Sequence, residues 1–268
     1  MSNFIDLHNH ILPALDDGPV NMDQAVMLAR DLVEAGYQTV VATPHTFEGE
    51  PAPELILERL NELQAELKRQ NLPLKLLPGA EQMIEPDLAG RLAAGEVLTL
   101  NQTRYLLLEL PMLQPLPVYT EQLLFTLAAE GYRPVIPHPE RVFALQSNKK
   151  LLFRLHQAGA IFQVTWVAFS GGLGSAARKT ARFMLDANLV HLLSTDAHGP
   201  GSPLLSVAKA ADYLEQEQGQ GFAELMLHTR PRLLLDNQPL DLPEPENPFS
   251  LRPRQKAPFL SRLFRSQG

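Results

Sequence analysis

Short apolar and β-branched runs recur along the chain: Phe4 to Leu7, Thr39 to Ala42, Leu74 to Leu77, Tyr105 to Leu110, Pro134 to Ile136, Ile161 to Val164 and Val190 to Leu193. Their starts lie roughly 30 residues apart, the length of one strand and helix unit. Between the runs the apolar positions take up a period of three to four residues. That period predicts helices over 21–36, 55–67, 120–131, 149–159, 176–187 and 204–216. The first is the clearest: Asn21 followed by Gln24 has the form of a capping box, Ala25, Val26, Ala29, Leu32 and Val33 share one face, and Gly36 ends the pattern. Seven strands alternating with helices favour an α/β fold with a parallel sheet, closed as a barrel or open and doubly wound. A doubly wound nucleotide fold usually carries a Gly-rich phosphate loop. Neither Gly-x-Gly-x-x-Gly nor Gly-x-x-x-x-Gly-Lys-Ser/Thr is present, and Gly171-Gly172-Leu173-Gly174 fits neither pattern.

Composition narrows the class. At 268 residues with 45% apolar and 20% charged residues, the chain has ordinary globular composition and length enough for a large core. No apolar run reaches the ~18 residues of a membrane span. Met1 to Asp6 lacks both the basic and the apolar region of a signal peptide, so a cytoplasmic protein is expected. The net charge of −7 is uneven: residues 249–268 hold Arg252, Arg254, Lys256, Arg262 and Arg265 with no acid, which leaves −12 on the rest. An acidic body argues against a nucleic-acid partner. Pro243, Pro245 and Pro248 read as a linker, so the expected domain covers 1–240, followed by a Pro-rich linker and basic tail over 241–268. Phe259, Leu260, Leu263 and Phe264 fall at helical spacing beside Arg262 and Arg265. The tail is therefore either a solubilising extension or a short helix for the inner membrane face or a partner protein.

There is no cysteine. Thiolate metal ligands and a phosphocysteine intermediate are thereby excluded. Histidines and carboxylates instead follow the strands. His8 and His10 come after the first run, with Asp16 and Asp17 in the adjoining loop; His45 follows the second and Glu81 the third; Glu109 ends the fourth; His138 follows the fifth; Asp196 and His198 follow the seventh. In a parallel barrel these strand ends form one face, where barrel enzymes assemble their sites. Nine convergent imidazole and carboxylate groups suit two or three divalent cations, with Mn, Fe or Zn favoured over Ca. Bound cations offset the repulsion among clustered carboxylates and activate water, which supplies a phosphatase chemistry that needs no thiol. His156, His191 and His228 lie outside the pattern and read as structural.

His8-Asn9-His10, Asp16-Asp17-Gly18, Ala42-Thr43-Pro44-His45, Gly79-Ala80-Glu81, Leu107-Leu108-Glu109, His138-Pro139-Glu140-Arg141 and Asp196-Ala197-His198 resemble, in order and spacing over residues 4–236, the polymerase and histidinol phosphatase (PHP) superfamily. Within it the likeness is strongest to bacterial capsule and exopolysaccharide tyrosine-protein phosphatases of the CpsB/YwqE type. The resemblance implies a distorted (β/α)7 TIM-like barrel and a trinuclear site that prefers manganese. It also implies hydrolysis of phosphotyrosine on the C-terminal tail of a bacterial tyrosine kinase that controls polysaccharide export. Carried onto this sequence, it assigns His8, His10, Glu81 and Asp196 to one cation, Asp17, His45 and His198 to a second, and Glu109 and His138 to a third, with Glu81 bridging. Arg141 matches the arginine that contacts the phosphate, and Asp17, His45 and His198 are the candidates for protonating the leaving oxygen. One position departs from the pattern: a second phosphate-contacting arginine commonly stands where this chain has Pro203, and a basic residue such as Arg178 or one from the tail would have to replace it. A histidinol-phosphatase-like phosphomonoesterase, a metallonuclease and a noncatalytic binder of phosphotyrosine tails are the alternative readings.

Overall fold

The computed structural model describes residues 3–201 and 207–249. Its strands are β1 (Phe4–Asn9), β2 (Tyr37–Ala42), β3 (His45–Thr46), β4 (Lys75–Pro78), β5 (Glu81–Met83), β6 (Tyr105–Glu109), β7 (Arg133–Pro137), β8 (Ile161–Thr165) and β9 (Leu192–Ser194). They pair in the orders β1-β2-β4 and β3-β5-β6-β7-β8-β9, and every pair is parallel. The two sheets make one ring. β3 continues β2 beyond Thr43-Pro44, β5 continues β4 beyond Gly79-Ala80, and the end of β9 returns to β1. That closure uses the Asp196 N–H donating to the His8 carbonyl at 3.1 Å and the His10 N–H donating to the Ala197 carbonyl at 3.0 Å. Seven strand positions result, one for each apolar run, and the two short strands β3 and β5 are additions to the sequence reading.

The interruptions have local causes. Pro44 has no N–H to give to a ladder. At Gly79 a Cβ would stand 2.7 Å from Val41 Cγ1 and 3.2 Å from Thr43 Cγ2, so a side chain there would force the neighbouring strands apart.

Alternation along the strands splits the buried residues into two layers. Leu106, Leu108, Ile136, Phe162, Val164 and Leu193 belong to the large outer core, where helices pack on the strands. Tyr105, Leu107, Val135, Ile161 and Leu192 join Ile5, Leu7 and Val41 in a smaller inner core. The six expected helices are α1 (Met22–Glu34), α2 (Pro53–Arg69), α4 (Thr120–Ala129), α6 (Lys150–Gln157), α8 (Gly174–Asp186) and α9 (Val207–Gln218), with short α3 (Leu88–Ala93), α5 (Phe143–Ser147) and α7 (Val167–Ser170) between them. α1 starts as its sequence indicates, the Gln24 N–H donating to Asn21 Oδ1 at 3.0 Å. The Gln24 side chain, however, accepts from Val20 N–H at 3.2 Å and not from Asn21.

Residues 222–242 close the opposite mouth of the barrel. A helical stretch over 222–235 delivers Leu234 and Leu235 to the inner core, and the partly buried Leu240 and Leu242 pack on the same cluster. Arg104, at the start of β6, donates to the Asn237 carbonyl at 2.7 Å. Residues 241–249, where the prolines suggest a linker, form no helix or strand and lie along the body. The Glu246 N–H donates to the Ala187 carbonyl at 3.0 Å, Asn188 donates to the Glu244 carbonyl at 3.2 Å, and the Phe249 ring meets Phe153 edge-on at 5.9 Å. Residues 250–268, with the proposed tail helix, lie outside the described residues. Among the described residues no helix is long and apolar enough to cross a membrane.

One buried histidine gives this end of the barrel a pH dependence. His191 is fully buried and accepts the Phe162 N–H at Nδ1 (2.9 Å); burial, then the charges of His156 and Arg230, hold its pKa down to about 3. A histidine depressed on folding stabilises the protein fully above its unfolded pKa, ~6.5, and loses that contribution as pH falls toward the folded value. His191→Leu is therefore expected to flatten the loss of stability between about pH 6.5 and 3, while costing about 1–3 kcal/mol at pH 8 through the orphaned Phe162 N–H. Denaturant titrations of both proteins across that range check this. Parallel pH profiles would show that His191 is not a source of the acid sensitivity.

Candidate metal centre

The strand ends converge on Glu81. It leads β5, is fully buried, and lies in register with His45 on β3. Its Oε2 stands 3.2 Å from His8 Nε2, 3.3 Å from His10 Nε2 and 3.0 Å from His45 Nδ1, while its Oε1 stands 2.8 Å from His138 Nε2. His45 Nδ1 also reaches Glu109 Oε2 at 3.4 Å, Asp196 Oδ1 lies 3.4 Å from His8 Nε2, and Asp17 Oδ1 lies 3.3 Å from His198 Nε2. All nine expected groups thus meet at one end of the barrel. Their grouping overlaps the assignment implied by resemblance: His8, His10 and Glu81 stand together, as do Asp17, His45 and His198, with His10 also near the second group and His45 also near Glu81 and Glu109.

The donor set fits cations. Glu81 Oε2 is buried without a hydrogen-bond partner although three imidazole nitrogens face it, and the His8 and His10 Nε2 atoms point at each other across 3.1 Å. Lone pairs converging in this way need a positive centre. Without a cation, protonated imidazoles are the groups able to supply it. Burial disfavours a charged His45, but hydrogen bonds to Glu109 and Glu81 outweigh it and push its pKa up to about 10. Burial likewise opposes ionisation of Glu81 and Asp196, yet the surrounding histidines hold both carboxyl groups well below the usual range. A divalent cation would take the place of these protons.

The backbone carries part of the placement. His138 (φ 35°) and Asp196 (φ 53°) sit in the left-handed region, which few residues other than glycine adopt. Such conformations cost about 1–3 kcal/mol each and persist where their surroundings fix them. Buried Asp6 does so for Asp196: its Oδ1 accepts the Thr195 N–H at 3.1 Å, its Oδ2 accepts from Asn9 Nδ2 at 3.0 Å, and Asn9 also donates to Thr195 Oγ1 at 3.0 Å. Asp16 plays the matching part for His10, its Oδ2 lying 2.7 Å from Nδ1 and also accepting the His45 N–H at 3.1 Å. A carboxylate behind a ligating imidazole fixes ring and tautomer. Gly18 makes this turn possible, because a Cβ there would lie 2.3 Å from the His10 carbonyl oxygen. Glu140, fully buried with its pKa raised to about 7 chiefly by burial, accepts the Thr165 N–H at 3.0 Å and ties the β7 loop to β8. The signal that could have found Asp6 is a charged residue inside an apolar strand, and Asp16 adjoins an expected ligand; nothing in the local sequence separates Glu140 from a surface acid.

Arg141 reaches the centre from the loop after β7. Its Nη1 donates to Asp196 Oδ2 at 2.6 Å, and its side chain is 32% exposed, so the guanidinium faces both the carboxylate cluster and solvent. Pro203 lies outside the described residues. Arg178, on α8, lies beside the Gly171 turn.

Comparison with known proteins agrees with this geometry. Residues 4–236 match the family model for capsular polysaccharide synthesis, CpsB/CapC. The tyrosine-protein phosphatase YwqE of Bacillus subtilis is 36% identical over 252 residues, covering 92% of this chain and 97% of its own length. The tyrosine-protein phosphatase CpsB of Streptococcus pneumoniae is 30% identical over 242 residues, 87% of this chain and 99% of its own. The structure superposes with a TM-score of 0.85 and 36% identity, over 91% of this chain and 99% of the other, on a crystal structure from work on YwqE and CpsB, described there as metal-dependent tyrosine phosphatases. A β-aspartyl dipeptidase from Fervidobacterium islandicum, at 13% identity and TM-score 0.53 over 88% of this chain and 74% of its own, shares the fold alone. With its seven-position parallel barrel and a His/carboxylate centre at the strand ends, the chain belongs to the CpsB/CapC family.

Proposed function

We propose that the protein is a metal-dependent tyrosine-protein phosphatase acting on the phosphotyrosine-bearing C-terminal tail of a bacterial kinase in polysaccharide export. The observation that carries this reading is the convergence of five histidines and four carboxylates on one barrel face with Arg141 beside them. The family match and the names of the relatives support the substrate. Three divalent cations, Mn²⁺ in the first place, fit the nine donors: His8, His10, Glu81 and Asp196; Asp17, His45 and His198; Glu109 and His138, with Glu81 shared. When bound, they lower the pKa of water and withdraw charge from phosphoryl oxygens.

The chain's own groups do the rest. Arg141 holds the phosphoryl group with its free N–H donors and stabilises the negative charge that grows during transfer. Asp196, gripping Arg141 through Oδ2, fixes the angle of that fork. Asp17 and His198 lie at the open side of the cluster, and His198 is kept neutral more readily than a free imidazole by burial and by the charge of His10. A neutral His198 is suited to ligate a cation and not to donate a proton, so protonation of the leaving tyrosine oxygen rests with solvent-facing Asp17 and water. A phenol ionises near pH 10, so this assistance matters less than it would for an alkyl leaving group.

The test is hydrolysis of a phosphotyrosine peptide, histidinol phosphate and a phosphodiester by protein reloaded with Mn²⁺, with and without a chelator. The phosphotyrosine peptide is expected to be turned over fastest, and chelation is expected to lower the rate at least ~100-fold. Faster turnover of histidinol phosphate would reassign the substrate, and hydrolysis indifferent to chelation would overturn the metal chemistry.

A further inference from the structure

Five of the eight large apolar side chains that stand exposed among the described residues lie in segments that follow the metal-bearing ends of the strands: Val20 after β1, Phe47 after β3, Leu113 and Val118 after β6, and Phe143, the first residue of α5, after β7. Apolar groups gathered in this way around a polar centre mark a contact surface. Phe47 is the best placed. His45 leads β3 and points its imidazole at Glu81 and Glu109, whereas the next side chain, Thr46, turns to Gln82, whose Oε1 is 3.0 Å from Thr46 Oγ1. Strand alternation therefore puts Phe47 on the face of His45, one step of roughly 6.7 Å farther out. It is 54% exposed.

The turn that carries Phe47 is rigidly mounted. Phe47 and Glu50 exchange backbone hydrogen bonds at 2.9 and 3.0 Å, and the Glu48 N–H donates to Glu85. Glu85 is itself buried, pairs with Arg91 and accepts from Gln82 Nε2 at 3.1 Å. A buried carboxylate network thus holds a turn that begins with a half-exposed phenyl ring. On the side of the barrel formed by β6 and β7, the Phe143 N–H donates to the Met112 carbonyl at 2.8 Å, which ties the segment carrying Leu113, 85% exposed, to the one carrying Phe143, 57% exposed.

We infer that Phe47 is a specificity-determining residue that packs against the aromatic ring of the substrate's phosphotyrosine, with Leu113 and Phe143 on the side of the barrel formed by β6 and β7. This inference rests on the tyrosine-phosphatase reading. A phenyl ring joined to phosphorus through one oxygen occupies the layer that lies one strand step above the ligands. An alkyl phosphate puts no aromatic face there. Aromatic pairs add enough beyond buried area to shift an affinity up to about tenfold.

The experiment compares wild type, Phe47→Ala and Phe47→Trp, all loaded with Mn²⁺, on one peptide bearing phosphotyrosine or phosphoserine at the same position. Phe47→Ala is expected to raise KM for the phosphotyrosine peptide by about five- to tenfold and leave that for the phosphoserine peptide unchanged. Phe47→Trp is expected to retain the preference, and metal content and melting temperature should match wild type in both variants. An unaltered ratio of the two substrates in Phe47→Ala, with wild type still preferring phosphotyrosine, overturns this inference alone. A wild type that does not prefer phosphotyrosine overturns the functional reading and this inference together.

Discussion

Glu81→Gln is expected to reduce phosphotyrosine hydrolysis by a factor of ~10³ or more and to leave the protein with less than its full complement of cations. No other carboxylate of the centre faces as many imidazoles: its two oxygens meet His8, His10, His45 and His138 within 3.3 Å. Glutamine keeps the shape but replaces one acceptor oxygen with an N–H₂ group that cannot ligate, and it removes the charge that offsets the cations. The metal-free variant should also be less stable, because the raised pKa of His45 and His138 depends on this carboxylate and breaking a buried pair costs more than the pair contributed. Metal analysis alongside peptide hydrolysis reads both effects. A variant with full metal content and near-normal turnover would remove Glu81 from the centre.

Arg141→Ala should lower kcat/KM by about 10²- to 10³-fold with the cations still bound, the loss expected when a charged donor to a developing oxyanion is removed. Arg141→Lys should recover only part of this, since an ammonium restores the charge but not the planar fork that can hold Asp196 and a phosphoryl oxygen at once. The contrast with Glu81 is the informative part. Loss of metal in Arg141→Ala comparable to that in Glu81→Gln would mean that the arginine acts by holding Asp196, and its role at the phosphate would have to be given up.

Much of this architecture is legible in the sequence because burial on two faces makes parallel strands near-continuous apolar runs, and because a strand's end is where its ligand appears. The seven runs and nine donors were visible for those reasons. β3 and β5 were not: His45-Thr46 and Glu81-Gln82-Met83 are too short and too polar to register as strands, and pairing in register, not propensity, holds them. Residues over 222–235 read as helix only once they are seen packing beneath the barrel, where tertiary contact decides the outcome. The supporting carboxylates escaped for a different reason. Glu85 and Glu140 are charged residues outside any periodic pattern, and only the contacts of the folded chain reveal them as buried. Phe47 was equally silent, as one phenylalanine in a loop carries no period.

The closure of the ring between β1 and β9 bears on how the protein is made. Asn9 meets Ala197 across 188 residues of chain, and the leucines that seal the far mouth come later still. A nascent chain emerging N-terminus first can assemble helices and neighbouring strands as they appear, but its first strand waits for the ninth. At ≈5–20 residues per second, that wait lasts on the order of ten seconds or more. Through it the first strand's open edge and the two histidines beside it lack their partners, so the barrel closes, and the centre is completed, only after residues 196 and 197 have been made.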